Sequence, residues 1–191
     1  MYQYAEQLLD LIEKSPSRYH ATANLKNRLT AEGYTALAED AAWDVRPGGR
    51  YVVTRNDSSL LAFRVPEGGV TGFALAAAHS DSPTFQIKEH AEKLSARCTV
   101  LDTEKYGGML MNTWFDRPLS VAGRIIVERD GKLEARLADV DRDLMIIPSV
   151  AIHMNRAAND GVKLLANVDT FPLLGCGAQD LRAIVAEAAG V

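Results

Sequence analysis

The N-terminal part of the chain shows helical spacing of apolar residues, interrupted by turn residues. One apolar stripe, which Pro16 ends, predicts a first helix and consists of Leu8, Leu9, Leu11 and Ile12. Ser17 is placed to cap a second helix that runs to about Ala31, with Gly33 as its C-terminal stop. These signals predict two consecutive helices at the start of the chain.

After a loop, the pattern changes from helices to strands. Residues 50–55 and 59–65 are short and rich in β-formers, and the turn between them predicts a hairpin. Residues 72–78 (GFALAAA) form a continuous apolar run that is typical of a strand buried on both faces, although a short helix fits the same periodicity. This run leads directly into His79-Ser80-Asp81.

Short strands dominate the rest of the chain, among them residues 85–88, 96–101, 119–128, 133–138 and 145–147. A hairpin turn, residues 129–132, joins two of them. Helices are predicted over residues 148–156 and 179–189. A soft boundary near residue 90 therefore separates an N-terminal part, residues 1–90, from a β-rich part, residues 91–191.

Composition and charge exclude several classes of protein. The chain is 47% apolar, which excludes intrinsic disorder, and its formal charge of −4 argues against binding to a phosphate backbone. No apolar run approaches a membrane span, and the acidic N-terminal segment is not typical of a secretory signal. Cys98 and Cys176 lie far apart in sequence and are predicted to be buried free thiols of a reducing cytosol.

The sharpest chemical feature is the pair His79-x-Asp81 at the end of the predicted buried strand. A neutral imidazole is a good zinc ligand, and a carboxylate commonly holds its second ring nitrogen. Two residues apart on an extended chain, both side chains lie on the same face. The motif is short, so a coincidental surface pair is the alternative interpretation.

Two other segments contain residues that are candidates for chemistry. The first, residues 106–118 (YGGMLMNTWFDRP), combines paired glycines with large anchors, and it is also consistent with a packed turn that carries an Asp116–Arg117 ion pair. The second contains His153 among apolar residues, where a histidine with satisfied partners in the core is the alternative to a functional residue.

Five longer stretches follow one another between about Leu9 and Leu174: SPSRYHATANLKNRL, WDVRPGGRYVVTRNDSSLLAFRV, AAAHSDSP, YGGMLMNTWFDRPLSVAGRIIV and IPSVAIHMNRAANDGVKL. Together they resemble the aspartyl aminopeptidase family of zinc metallopeptidases. The resemblance implies an α/β catalytic domain interrupted by a β-rich dimerisation domain. It also implies a cytoplasmic two-zinc exopeptidase that removes N-terminal, often acidic, residues from peptides and assembles as homodimers within dodecamers.

The same resemblance assigns roles to three residues. His79 matches the first zinc ligand of the family, and Asp81 matches the carboxylate that orients it. His153 matches a dimerisation-domain histidine that reaches the substrate site of the neighbouring subunit. Residues 1–90 then correspond to the N-terminal part of the catalytic domain, and residues 91–191 to an incomplete dimerisation domain.

The remaining zinc ligands and the catalytic glutamate of the family have no counterpart in the 191 residues. Zinc sites take three or four protein ligands, so this chain alone is expected to be inactive and to hold no zinc stably. Two functions stay open: the N-terminal portion of a zinc aminopeptidase acting on peptides, or a non-catalytic dimerisation module. Nucleic acid and membrane are not expected partners.

Overall fold

The computed structural model describes residues 2–191 and divides into two compact units. The first unit ends at Ser82, and the second comprises Pro83–Val191. The boundary expected near residue 90 falls inside a single strand, Thr84–Ser95. Because a hydrogen-bonded strand moves with its sheet, the division lies before this strand and not within it.

The first unit contains two helices and a three-stranded sheet. Its elements are α1 (Gln3–Glu13), α2 (Arg18–Ala31), β1 (Thr35–Leu37), β2 (Arg50–Arg55) and β3 (Ser59–Arg64). The strands lie in the order β1-β2-β3, with β1 parallel and β3 antiparallel to β2. The Ser17 hydroxyl accepts a hydrogen bond from the His20 amide at 3.4 Å, which confirms the predicted cap of α2.

The centre of the first unit lies on β2. Tyr51, Val52 and Val53 are buried in succession, so both faces of this strand are covered. The Tyr51 hydroxyl accepts a hydrogen bond from the Arg46 amide at 2.8 Å. Gly49 permits this arrangement, since a Cβ there would clash with the Tyr51 hydroxyl oxygen.

The prediction of a buried strand over residues 72–78 was wrong. Residues 72–83 form neither helix nor strand, and the side chains of Phe73 and Leu75 are 86% and 88% exposed. An apolar run becomes a buried strand only when other strands pair with its backbone and cover its faces. Within residues 2–191 no strand pairs with this run.

The second unit is rich in strands, as predicted. Its elements are β4 (Thr84–Ser95), β5 (Cys98–Tyr106), a 3-10 turn (Met111–Trp114), β6 (Ala122–Arg129), β7 (Lys132–Asp139), α3 (Ala166–Asp169), β8 (Leu173–Cys176) and α4 (Leu181–Ala188). One sheet has the order β4-β5-β8, and β6 pairs with β7 as an antiparallel hairpin. The predicted turn between β6 and β7 is confirmed, with positive φ at Asp130 and Gly131.

The core of the second unit forms where β5 and β8 meet the C-terminal helix. Its buried members are Ala91, Leu101, Met145, Leu174 and Leu181. Leu101 and Ile147 are completely buried. The C-terminal helix is confirmed, and Asp180 caps it by accepting a hydrogen bond from the Ala183 amide at 3.0 Å.

The predicted helix over residues 148–156 was wrong. This segment is a succession of short turns, in which the Met154 amide donates to the carbonyl of Ala151 at 2.8 Å. These hydrogen bonds close single turns and do not continue as the regular hydrogen-bond pattern of a helix. No helix within the described residues 2–191 has the length and apolar character needed to cross a bilayer.

Candidate functional site

The structure brings His79 and Asp81 into direct contact. Nδ1 of His79 lies 3.1 Å from Oδ1 of Asp81 and 2.9 Å from the Asp81 carbonyl oxygen. Both contacts use oxygen acceptors, so they favour the tautomer in which Nδ1 carries the proton. The other ring nitrogen, Nε2, then has its lone pair available for a ligand.

The His79 side chain is largely exposed to solvent, whereas the Asp81 carboxylate is partly buried. The His79 side chain is 82% exposed, whereas that of Asp81 is 32% exposed. Between them, the Ser80 hydroxyl donates to the carbonyl of Ser58 at 3.5 Å, which ties the segment to the turn between β2 and β3. The pair is thus anchored in the first unit although it lies in no regular element.

The geometry fits one ligand of a metal site. A metal-binding histidine usually donates its second N–H to a carboxylate or a carbonyl, and Asp81 provides both acceptors. Among residues 2–191, however, no three His, Cys, Asp or Glu side chains are grouped so as to hold a metal ion. The described residues therefore supply one oriented imidazole, and a complete zinc site needs further ligands.

The glycine-rich segment, residues 106–118, forms a packed turn in the second unit. Gly107 has φ +77°, and a Cβ at this position would contact Pro83 at 3.4 Å. The ring of Trp114 packs edge-on against Phe85 at a centroid distance of 5.2 Å. Positive φ and close approach to a proline explain the glycine without any role for it in binding phosphate.

Asp116 forms hydrogen bonds with Ser149 in place of the ion pair with Arg117 that the sequence suggested. The Asp116 carboxylate accepts hydrogen bonds from both the hydroxyl and the amide of Ser149, the latter at 2.9 Å. These bonds hold the pKa of Asp116 below its usual value, the side-chain bond contributing most. Arg117 donates instead to the carbonyl of Thr113 at 3.4 Å. The carboxylate therefore joins two loops that are distant in sequence.

His153 lies on the surface of the second unit, so the alternative of a core histidine is wrong. It sits in the exposed turn segment described above, and three apolar side chains around it are also exposed. These neighbours are Val150, Ile152 and Met154. The histidine belongs to the second unit and the His79–Asp81 pair to the first.

Sequence reasoning missed a proximity between the two cysteines. Cys98 and Cys176 face each other on β5 and β8. They are free thiols, as predicted, but Cys98 is half-buried and Cys176 is exposed, so the prediction that both are buried was wrong. The sequence did not predict β8, because a strand of four residues is too short to show a clear alternation of apolar and polar positions. Only the pairing of strands across 78 positions brings the thiols together.

Comparison with known proteins shows extensive similarity to one peptidase family. A family model described as "Aminopeptidase I zinc metalloprotease (M18)" matches residues 11–187. A relative from Clostridium acetobutylicum, "Probable M18 family aminopeptidase 2", is 44% identical over 178 residues, covering 91% of this chain and 41% of that protein. The chain thus spans less than half the length of this curated relative.

Solved structures share the fold of the chain. The cryo-EM structure of the Ape4 and Nbr1 complex matches with a TM-score of 0.87 and 37% identity, over 93% of this chain and 35% of that one. The structure of Chaetomium thermophilum mApe1 matches with a TM-score of 0.84 and 28% identity, over 98% of this chain and 47% of that one. These matches confirm a mixed α/β fold that corresponds to part of longer aminopeptidases.

Proposed function

Because the chain belongs to the M18 family of aminopeptidases, we propose that it forms the N-terminal part of a zinc-dependent aminopeptidase. The observation that supports this proposal best is the contact between His79 Nδ1 and Asp81, which leaves Nε2 available as a ligand. In the proposal, His79 is a zinc ligand and Asp81 orients it. The further ligands, and the general base, come from residues outside this chain.

The chemistry of the proposed reaction is hydrolysis of the first peptide bond of a peptide. Zinc, when bound, supplies Lewis acidity at the scissile carbonyl and lowers the pKa of water. The chain's own contribution is positional. Asp81 holds the ring orientation and tautomer of His79.

The experiment that tests this proposal uses the protein purified from its source, with its intact mass determined. We expect release of N-terminal residues from peptides, loss of this activity on removal of zinc with a chelator, and recovery on adding zinc. Activity that is insensitive to chelators would contradict the proposal. A protein of only 191 residues without peptidase activity would favour the dimerisation module described below.

The proposal extends to substrates with an acidic N-terminal residue, for which the family resemblance is the support. Peptides that differ only in their first residue, Asp or Glu against Leu, measure this preference directly. We expect the Asp and Glu peptides to be hydrolysed with a higher kcat/KM than the Leu peptide. Equal or better hydrolysis of the Leu peptide would remove the acidic preference while leaving the aminopeptidase function intact.

The 191-residue chain by itself is expected to bind no zinc at stoichiometric level. One imidazole does not hold zinc at useful affinity, since structural and catalytic sites use three or four protein ligands. Metal analysis of the purified chain after dialysis, with a His79→Ala variant as the matched blank, measures this. Tightly held zinc that is lost in the variant would instead indicate a site shared between chains.

We further propose that the second unit mediates homodimerisation, and that His153 reaches the substrate site of a second copy. The β6–β7 hairpin supports this because one of its faces exposes Ile126, Leu133 and Leu137. His153 is exposed among apolar neighbours, as a role in another subunit requires. A dodecameric assembly and a cytoplasmic location complete the proposal, and the family resemblance is their support.

Self-association is expected to weaken when the exposed hairpin face is made charged. Leu133→Glu places a carboxylate on the apolar face, where burial against a second copy would leave it unpaired. Light scattering over a concentration series should show a discrete oligomer for the parent protein and a smaller mass for the variant. The control is Lys132→Glu at the adjacent exposed position, which should associate like the parent.

A parent protein that stays a monodisperse monomer at high concentration would contradict the dimerisation proposal and the role of His153 with it. A non-catalytic dimerisation module is the second candidate function, favoured by the same exposed hairpin face. It predicts self-association without any zinc-dependent hydrolysis. The two candidates are therefore distinguished by the peptidase assay and not by the association assay.

A further inference from the structure

Cys98 and Cys176 occupy facing positions on two antiparallel strands. They are direct partners in the register between β5 and β8, and their Sγ atoms lie 3.6 Å apart. Both are free thiols in this structure. At this separation the two sulfurs are in contact but not bonded.

The position of the pair in the ladder suits a disulfide. The Gly177 amide donates to the carbonyl of Arg97 at 2.7 Å, so the flanking pair is hydrogen-bonded and the cysteines form a non-hydrogen-bonded pair. Cα atoms of such pairs lie about 4.5 Å apart, within the ~4.4–6.8 Å that a disulfide spans. The register of the pair therefore has the strand geometry that a cross-strand disulfide requires.

The two thiols differ in their access to solvent. Cys176 is exposed, whereas Cys98 is half-buried. The Cys98 thiol donates to Cys176 Sγ, and this bond, together with burial, raises the pKa of Cys98. A thiol–disulfide exchange therefore begins at Cys176, the more exposed of the two residues, and Cys98 acts as the second, resolving thiol.

We propose that Cys98 and Cys176 form a reversible cross-strand disulfide by exchange with a low-molecular-weight disulfide of the glutathione type. The Cys176 thiolate attacks one sulfur of glutathione disulfide, forms a mixed disulfide and releases one glutathione thiolate. Cys98 then loses its proton to solvent, attacks Cys176 Sγ and releases the second glutathione thiolate. The protein pair loses two electrons and two protons, and one glutathione disulfide becomes two glutathione thiols.

The disulfide would add a covalent link to a junction that hydrogen bonds and core packing already hold. Next to the pair, the Thr99 hydroxyl donates to the carbonyl of Gly177 at 2.7 Å and accepts from the Gln179 amide at 3.1 Å. Two residues later the chain enters α4, which contributes Leu181 to the core. Oxidation thus ties this C-terminal segment covalently to the central strand of its sheet, independently of any peptidase activity.

The test equilibrates the reduced protein with reduced and oxidised glutathione at a series of ratios. Mass spectrometry after rapid alkylation counts the remaining thiols. We expect the two thiols to disappear together, with the chain lighter by two hydrogen atoms, and dithiothreitol to restore both. Hydrogen exchange at the amides of Gly177 and Gln179 should slow by about tenfold or more in the oxidised form, because local opening then requires the tether to move.

Two single variants distinguish this exchange from unspecific oxidation. Cys98→Ser has no resolving thiol, so a stable glutathione adduct should accumulate at Cys176. Cys176→Ser should react more slowly, since its remaining thiol is half-buried. Circular dichroism confirms that both variants fold, and either one failing to fold leaves the parent protein's thiol count as the deciding measurement.

Three outcomes would overturn the proposal. A glutathione adduct that persists on the parent protein would show that Cys98 does not reach Cys176. Disulfide-linked dimers on a non-reducing gel would show that the pair reacts between chains. Two thiols that remain unmodified at every glutathione ratio would show that the site is not accessible to a small disulfide.

Discussion

Replacing His79 by alanine in the proposed full-length aminopeptidase is expected to lower kcat/KM by roughly a thousandfold or more. The variant removes the exposed imidazole whose Nδ1 is held by Asp81. Loss of a Lewis acid that stabilises the transition state by several kcal/mol corresponds to rate losses of about this size. The zinc content of the enzyme should fall in parallel, as measured by metal analysis.

Asp81→Asn provides a graded comparison with His79→Ala. The amide keeps the shape of the side chain but removes the charge next to the imidazole. Replacing the hydrogen-bond partner of a metal-binding histidine typically lowers metal affinity or activity by about 10–100-fold. His90→Asn is a suitable control, because His90 is exposed and its positive φ tolerates asparagine. Parent-like turnover in His79→Ala, or an equal loss in His90→Asn, would contradict the assignment.

Replacing Leu101 by alanine is expected to destabilise the second unit by about 2–5 kcal/mol. Leu101 is completely buried at the centre of β5, and its amide donates to the carbonyl of Pro172 at 2.9 Å. The hydrogen bond persists in the variant, so the loss reports on packing and on the cavity left behind. A loss of this size is a large share of the ~5–15 kcal/mol that keeps a domain folded.

Urea unfolding followed by tryptophan fluorescence measures this loss. Each unit contains one tryptophan, so a Trp43→Phe background leaves Trp114 as the reporter of the second unit. Leu94→Ala is the matched control, because Leu94 lies on the neighbouring strand and is 74% exposed. The Leu101 assignment to the core would fail if both variants unfolded at the same urea concentration.

Local sequence signals determined the elements that depend on near neighbours. Ser17 caps α2 through an amide three residues away, and Asp130-Gly131 closes a two-residue turn whose backbone needs positive φ. The His79–Asp81 contact is equally local, since two residues of extended chain suffice to form it. Such interactions are specified by a few consecutive residues, and the sequence therefore predicts them correctly.

Contacts between residues distant in sequence determined the features that local signals did not predict. Residues 72–78 have the composition of a buried strand, yet burial depends on which strands pair with them, and none within residues 2–191 does. The contacts of Asp116 with Ser149 and of Cys98 with Cys176 join positions 33 and 78 residues apart. A hydrophobic pattern indicates which side chains of a segment favour burial, but it does not identify the distant segment that covers them. The tertiary structure determines that partner, because distant segments come into contact only when the chain folds.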